Sequence, residues 1–235
     1  MAAREVGRVA GLWRYPVKSM AAEALESAEV DWNGLPGDRR WAFIREGLVG
    51  SGFPWLTIRE NPQMWRYLPR LTETHRPDDC VTLVRTPAGA EVDVTDPALA
   101  AELGHGARVI RQSRGIFDTA PLSLLTTQTV QALSVMTGAE LEPLRFRPNL
   151  LVEAAGSEPF QEDAWVGAVL TVGGLRMRVD KRDQRCVMIN IDPRTTERNH
   201  AVLRAVAQQR QACLGVYGST VQPGLVAIGA PVLMD

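Results

Sequence analysis

Between residues 168 and 180 the chain reads AVLTVGGLRMRVD. Leu175, Met177 and Val179 alternate there with Arg176 and Arg178. Period-two alternation puts the apolar set on one face of a strand and the arginines on the other. Gly173-Gly174 supplies a hairpin turn before it. The first hundred residues carry more such segments. GRVAGLWRYPV, ALESAEVDW, RWAFIRE and CVTLVRT are short, rich in Val, Trp, Leu and Ile, and separated by turn residues, with NGLPGDRR a dense turn cluster among them. NLLVEA reads as a further strand, and the tail LGVYGSTVQPGLVAIGAPVLMD returns to strands broken by Gly and Pro. Short strands at this spacing predict a barrel or sandwich.

Three segments switch to helical spacing. Asp96-Pro97 followed by ALAAELG predicts a short helix capped by Asp96 and ended by Gly104. TTQTVQALSVMTG predicts a second, with Thr126 as cap, Val130, Leu133 and Met136 or Thr137 on one side, and Gly138 as terminator. TTERNHAVLRAVAQQR predicts a third, with Thr195 or Thr196 as cap and an apolar stripe of Val202, Leu203 and Val206. The fold class is mixed α+β, mostly β, with a few peripheral helices. HGARVIRQSRG, residues 105–115, is the best junction, and it divides the chain into 1–112 and 113–235.

Composition narrows the classes. The 235 residues are long enough for one large or two small domains, and 45% hydrophobic against 23% charged is ordinary for a globular protein. A net charge of −1 gives no support to nucleic-acid binding. No apolar run approaches the ~20 residues of a membrane span, and the N-terminus has no signal-peptide core. The three cysteines, Cys80, Cys186 and Cys213, are odd in number and widely spaced, which suits a reducing cytoplasm rather than a disulfide framework. His75, His105 and His200 are scattered, and no Cys/His spacing resembles a zinc or iron–sulfur site. Only Lys18 and Lys181 among the 26 basic residues are lysines.

Three stretches offer chemistry. In YPVKSM, Lys18 and Ser19 at a strand exit suit an oxyanion such as phosphate, or form a solvated turn. In RFRPNLLV, Arg145 and Arg147 point the same way if the stretch is extended, and Pro148 favours that geometry at Arg147. Asn149 there offers a donor and an acceptor for a heterocycle edge or a phosphate; the plainer alternative is a surface arginine pair flanking a core strand. In KRDQRCVMINIDP, Arg182 and Arg185 bracket Cys186, with Lys181 close by. Positive neighbours favour thiolate, the form that attacks electrophiles and binds soft metals. A buried inert thiol is the alternative, and it fits Cys80 and Cys213 better. Trp165, in EDAWVGAVL, reads as an aromatic packed onto the barrel.

Taken in order, RYPVKSM, GDRRWAF, TIRENP, DTAPLSLL, FRPNLLV, EDAW, RCVMINIDPRT, LGVYG and PGLVAIGAPV resemble the MOSC superfamily. The likeness is to its two-part branch with an N-terminal barrel, that of the mitochondrial amidoxime-reducing component and its bacterial relatives. It runs from near residue 14 to near residue 232. The resemblance implies an N-terminal β-barrel domain (1–112) packed on a barrel-like MOSC domain (113–235). It implies that Cys186 is the thiolate ligand of molybdenum in a molybdopterin cofactor. Lys18, Ser19, Arg39, Thr119, Arg147, Asn149, Arg185 and Tyr217 would be the cofactor contacts, between the two parts. The implied activity is reduction of N-hydroxylated substrates such as amidoximes and hydroxylamines, with electrons from a separate flavin or iron–sulfur protein. The alternative is a carrier that holds sulfur as a Cys186 persulfide, or a cofactor in transit. Two positions depart from the pattern: Ala120 replaces a second hydroxyl and Gln184 replaces a serine. No membrane anchor, fused ferredoxin or desulfurase domain is read in the chain.

Overall fold

The computed structural model describes residues 3–48, 50–73 and 79–235; His75 lies outside them. Strands β1 (Arg4–Arg14), β2 (Glu23–Ala24), β3 (Ser27–Val30), β4 (Trp41–Ile44), β5 (Leu68–Leu71), β6 (Thr82–Arg85), β7 (Glu91–Asp93) and β8 (Arg108–Arg111) come first, with helix α1 (Pro97–Leu103) before β8. Then follow β9 (Leu122–Thr126), α2 (Thr127–Thr137), β10 (Leu150–Ala154), β11 (Val169–Val172), β12 (Leu175–Gln184), α3 (His200–Arg210), β13 (Cys213–Gln222), β14 (Gly224–Ala227) and β15 (Pro231–Met234).

Seven strands close on themselves in the order β10-β9-β13-β12-β11-β15-β1, with β1 pairing back onto β10. The first strand of the chain thus seals a barrel whose other staves all come from residues 122–234. Its pairing is antiparallel to both neighbours, and its register shifts once against each, between Glu5 and Gly7 and between Val9 and Gly11. Such bulges bend a strand enough to close a barrel. At Gly7 a Cβ would stand 2.5 Å from the Glu153 carbonyl oxygen, so the strands approach only because that residue has no side chain. β9 and β10 are parallel and joined through α2, the crossover a parallel pair needs. The hairpin of β11 and β12 turns at Gly173-Gly174, and Leu175, Met177 and Val179 are buried as their alternation predicts.

Outside the barrel, β4 pairs with β8, β5-β6-β7 form a meander and β14 pairs with β3. Three apolar cores result. One fills the barrel and includes Val9, Leu12, Leu124, Met177, Val216 and the expected Trp165. A second lies under the meander and α1, with Phe43, Ile58, Met64 and Trp65, and takes in Ile191 from the other half of the chain. The third packs α2 and α3 on the barrel wall through Leu133, Phe146, Val202 and Val206, and takes in Ile189. Ile189 and Ile191 therefore anchor one short segment in two different cores. Cys186 stands at the start of that segment, capping a 3₁₀ turn over Val187–Asn190.

Three local expectations are corrected. Asn199, not Thr195 or Thr196, caps α3: its side chain accepts from the Ala201 N–H. The Asp192 carboxylate draws the preceding residues into a turn by accepting from the Arg194 and Thr195 N–H groups, so helix begins only beyond it. RFRPN is not extended either. Pro143–Phe146 form a 3₁₀ turn and Arg147 follows at φ 53°, in the left-handed region. Proline at the first position favours a helical turn, and the Arg147 N–H closes it on the Leu144 carbonyl at 2.9 Å. Asp96, Thr126 and Gly138 cap and end their helices as predicted. Cys80 and Cys213 are half-buried rather than core residues.

Leu124 is fully buried at the centre of the barrel. Leu124→Ala is expected to lower the unfolding free energy by about 2–5 kcal/mol in denaturant titrations. A loss below ~1 kcal/mol would contradict the packing described.

Candidate functional site

Tyr15 follows β1 directly and is wholly buried. Its hydroxyl donates to the Pro148 carbonyl at 3.0 Å, and its N–H to Asp38 Oδ1 at 2.7 Å. Two guanidinium groups cover its ring, with the Cζ of Arg147 4.2 Å and that of Arg39 4.6 Å from the ring centre. Arg147 also lies 4.8 Å from the ring of Trp65. The Asp38 carboxylate, completely buried, pairs with Arg39 and accepts from Asn149 Nδ2 at 3.3 Å. Burial opposes charge on Arg39, but Asp38 outweighs it and holds that guanidinium above its ordinary value. Among the described residues, Arg147 has no carboxylate partner. Burial, aided by the charge of Arg39, pushes it down to about 10.

Of these side chains, Arg39, Arg147 and Asn149 line a cleft holding about 770 Å³ of empty space, part of it open to solvent. Lys18, Ser19, Arg39, Arg147, Asn149, Arg185, Cys186 and Tyr217 all line it, from segments up to two hundred residues apart. Thr119 does not: it is exposed, although its neighbours Asp118 and Ala120 line the cleft, as does Gln184. Arg145 and Asp183 complete the charged lining, giving five cations (Lys18, Arg39, Arg145, Arg147, Arg185) against two carboxylates (Asp118, Asp183). Lys18 Nζ meets Asp118 Oδ1 at 2.6 Å and the Ile116 carbonyl at 3.1 Å. Burial pushes Lys18 below its ordinary value, against the pull of Asp118. Arg185 pairs with Asp183 at 2.8 Å. Burial pushes both Asp183 and its hydrogen-bond partner Tyr217 up. Lys181 is exposed on β12 and is not part of the lining.

Backbone strain collects here. Ser19, Arg39 and Arg147 all have positive φ, at 68°, 50° and 53°. Non-glycine residues take that conformation at a cost, which persists where the surroundings over-determine it. Among the described residues, four buried polar atoms of the lining lack a protein partner: Ser19 Oγ, Ser123 Oγ, Arg145 Nε and Arg147 Nη2. Asn149 behaves otherwise. Its amide donates to the Trp13 carbonyl at 3.1 Å and accepts from the Ser123 N–H at 3.2 Å, so it ties β1 to β9 rather than facing the cleft with free valences.

Cys186 is exposed at the rim. Its flanking arginines do not reach it. Arg185 donates to the Leu214 and Phe146 carbonyls, and Arg182 to the Arg210 carbonyl and to Gln211. The cation on the thiol is Arg59, whose Nη2 lies 3.1 Å from Sγ. Sequence reading passed over Arg59, 127 residues away, although it sits in the quoted TIRENP; no local signal pairs it with a cysteine. Asp38 and Asp118 were missed for a simpler reason: each precedes a residue already singled out. Among the described residues, no three His, Cys, Asp or Glu side chains converge as a metal cage.

The family model of the MOSC domain matches residues 107–233 and that of the MOSC N-terminal beta barrel domain matches residues 6–117. The chain belongs to the MOSC family. Mitochondrial amidoxime reducing component 2 of Bos taurus is 23% identical, over 97% of this chain and 83% of its own length. The human component 1 is 22% identical over 98% and 84%. A molybdenum cofactor sulfurase of Drosophila mojavensis is 26% identical over 86% of this chain, which spans only 30% of that protein. The crystal structure of the YUAD protein from Bacillus subtilis superposes with a TM-score of 0.56 over 99% of this chain and 97% of its own, at 12% identity, a likeness of fold alone.

Two outcomes check this geometry. Asp38→Ala leaves Arg39 buried without its counter-charge, and the unfolding free energy should fall by about 3–5 kcal/mol; an unchanged denaturation midpoint would contradict the pairing. Asp192 is held below the usual carboxylate range: burial pushes it up, but the N–H groups of Thr195 and Arg194 and the charge of Arg145, at 2.6 Å, outweigh that. A depressed folded value stabilises above the unfolded value of ~3.9, and that stability drains as pH falls through the folded value. Asp192→Asn should therefore flatten the acid limb of the stability–pH curve, and an identical limb would exclude this role.

Proposed function

We propose that this protein binds a molybdenum cofactor through Cys186 and reduces N-hydroxylated compounds, amidoximes and hydroxylamines, in a reducing cytoplasm. The observation that carries the reading is the cleft itself. An exposed thiol stands at the rim of a cation-rich pocket in which, among the described residues, four buried polar atoms have no protein partner.

The lining suits such a cofactor. A phosphate and a polar pterin need cations and hydrogen-bond donors, and the site provides an excess of three cations plus the hydroxyls of Ser19 and Ser123. A soft, oxygen- and sulfur-loving metal needs a thiolate, and Cys186 offers one. In this reading Lys18, Ser19, Arg39, Arg147, Arg185 and Tyr217 hold the anionic and polar parts, and Cys186 holds the metal. Asn149 acts by fixing Asp38 and the strand edges. When bound, the cofactor supplies the two-electron chemistry that converts an N–OH group to N–H and water. The chain's residues bind, orient and exclude water. Electrons come from a separate flavin or iron–sulfur protein. The amidoxime-reducing relatives support the substrate class, and among the described residues no helix is long and apolar enough to cross a membrane.

Protein purified from a cofactor-producing host should hold about one molybdenum per chain by elemental analysis, and Cys186→Ala should lower that by tenfold or more. With reduced viologen as donor, the wild type should turn over benzamidoxime and the variant should not. A metal-free wild type, above all one carrying sulfane sulfur on Cys186, would overturn this reading in favour of a carrier.

A further inference from the structure

We propose that Arg59 is a positioning residue for Cys186: its guanidinium, delivered from the other half of the chain, donates to the thiol sulfur and holds it in place at the rim of the cleft. The inference deepens the reading of Cys186 as the ligand, but its geometry stands without a metal.

The contact is an N–H group of Arg59 donating to Cys186 Sγ at 3.1 Å. Three observations separate it from a chance meeting at the surface. First, the arginine is stiffened along its length. The ring of Phe53 lies 5.2 Å from its guanidinium carbon, and its backbone carbonyl accepts from Arg198 Nη2 at 2.9 Å. Second, the turn that carries it is braced on every side. Thr57 donates to Glu60 through its hydroxyl at 2.7 Å and its N–H at 3.0 Å, and Glu60 pairs with Arg45 at 3.4 Å. Asn61 donates to the Leu103 carbonyl, and Gln63 to Thr196 Oγ1 at 2.9 Å. Third, two of these braces, Arg198 and Thr196, belong to the loop that follows Cys186. The turn bearing the donor and the segment bearing the thiol are thus fastened to each other beside the contact they make.

The sequence neighbours of Cys186 cannot substitute. Arg185 and Arg182 are turned onto backbone carbonyls, Asp183 and Asp163. A guanidinium donor shortens and strengthens a hydrogen bond to an anion. A donor on a ligand sulfur also withdraws charge from it, which favours the reduced state of a bound metal. Arg59 acts on substrate only through the sulfur.

The test begins with the full chain made in a host without the cofactor, at one fixed pH. Labelling of Cys186 by anionic iodoacetate and by neutral iodoacetamide is followed by mass spectrometry, and the thiolate fraction cancels in the ratio of the two rates. Arg59→Gln should lower that ratio about threefold or more, and Arg59→Lys, which keeps a cationic donor, should restore most of it. An unchanged ratio in Arg59→Gln would overturn the proposal, and faster labelling by both reagents at an unchanged ratio would show that Arg59 merely covers the sulfur. Metal-loaded protein gives the second readout: Arg59→Gln should keep its molybdenum, lower the reduction potential and lower kcat, with KM within about twofold. A drop in melting temperature without either change would mark Arg59 as structural only. If the loaded wild type holds no molybdenum, the proposed function fails, and the labelling arm still decides the role of Arg59.

Discussion

Two cations share one buried aromatic ring. Arg39 and Arg147 lie on Tyr15, which is wholly inaccessible, and the buried carboxylate of Asp38 pairs with Arg39 alone. Taking a charge out of water is expensive unless it is paired and hydrogen-bonded. Here the pairing is incomplete by one charge. Arg39 has its carboxylate, whereas Arg147 has only the Met20 carbonyl, at 2.7 Å, and one unpartnered nitrogen. In the proposed function, an anion from outside the chain supplies the partner that this guanidinium lacks. The positive φ values of Ser19, Arg39 and Arg147 belong to the same cluster, where packing of the ring and the carboxylate over-determines the backbone.

The fold supports that cluster by joining distant pieces of chain. β1 closes the barrel against β10 and β15, and the chain leaving it buries Tyr15 and carries Lys18 and Ser19 to the cleft. Asn149 then ties the end of β1 to β9 and to Asp38. On the opposite side, Ile189 and Ile191 sink into two separate cores, and Arg145 clamps the segment at the Ile189 carbonyl and Asp192. Cys186 is consequently exposed yet held by a segment with little freedom. Exposure gives access, and the anchoring gives a defined position.

Much of this was legible in the chain, for particular reasons. Period-two alternation in LRMRV and the caps Asp96 and Thr126 are local signals, and the structure has the strand and both helix starts there. Asn199 was hidden because two threonines offered the same capping chemistry a turn earlier. Alternation reveals which face of β1 is buried but not which strands it joins, and its partners lie some 140 and 225 residues on. All nine expected site residues came from ordered motifs, and eight of them line the cleft; such a likeness carries positions without geometry. That is why the strand-bridging bonds of Asn149, which also lines the cleft, were not foreseen, and why Arg59 went unseen. A contact between residues 127 apart has no signature in either segment alone.

The central claim is that Cys186 is the protein's own ligand to a metal seated in this cleft. Molybdenum-edge X-ray absorption on wild type and Cys186→Ser tests it most directly. The account predicts metal–sulfur scattering in both, weaker by one sulfur in the variant that retains metal. Equal sulfur scattering in the two would place the metal elsewhere and contradict the account.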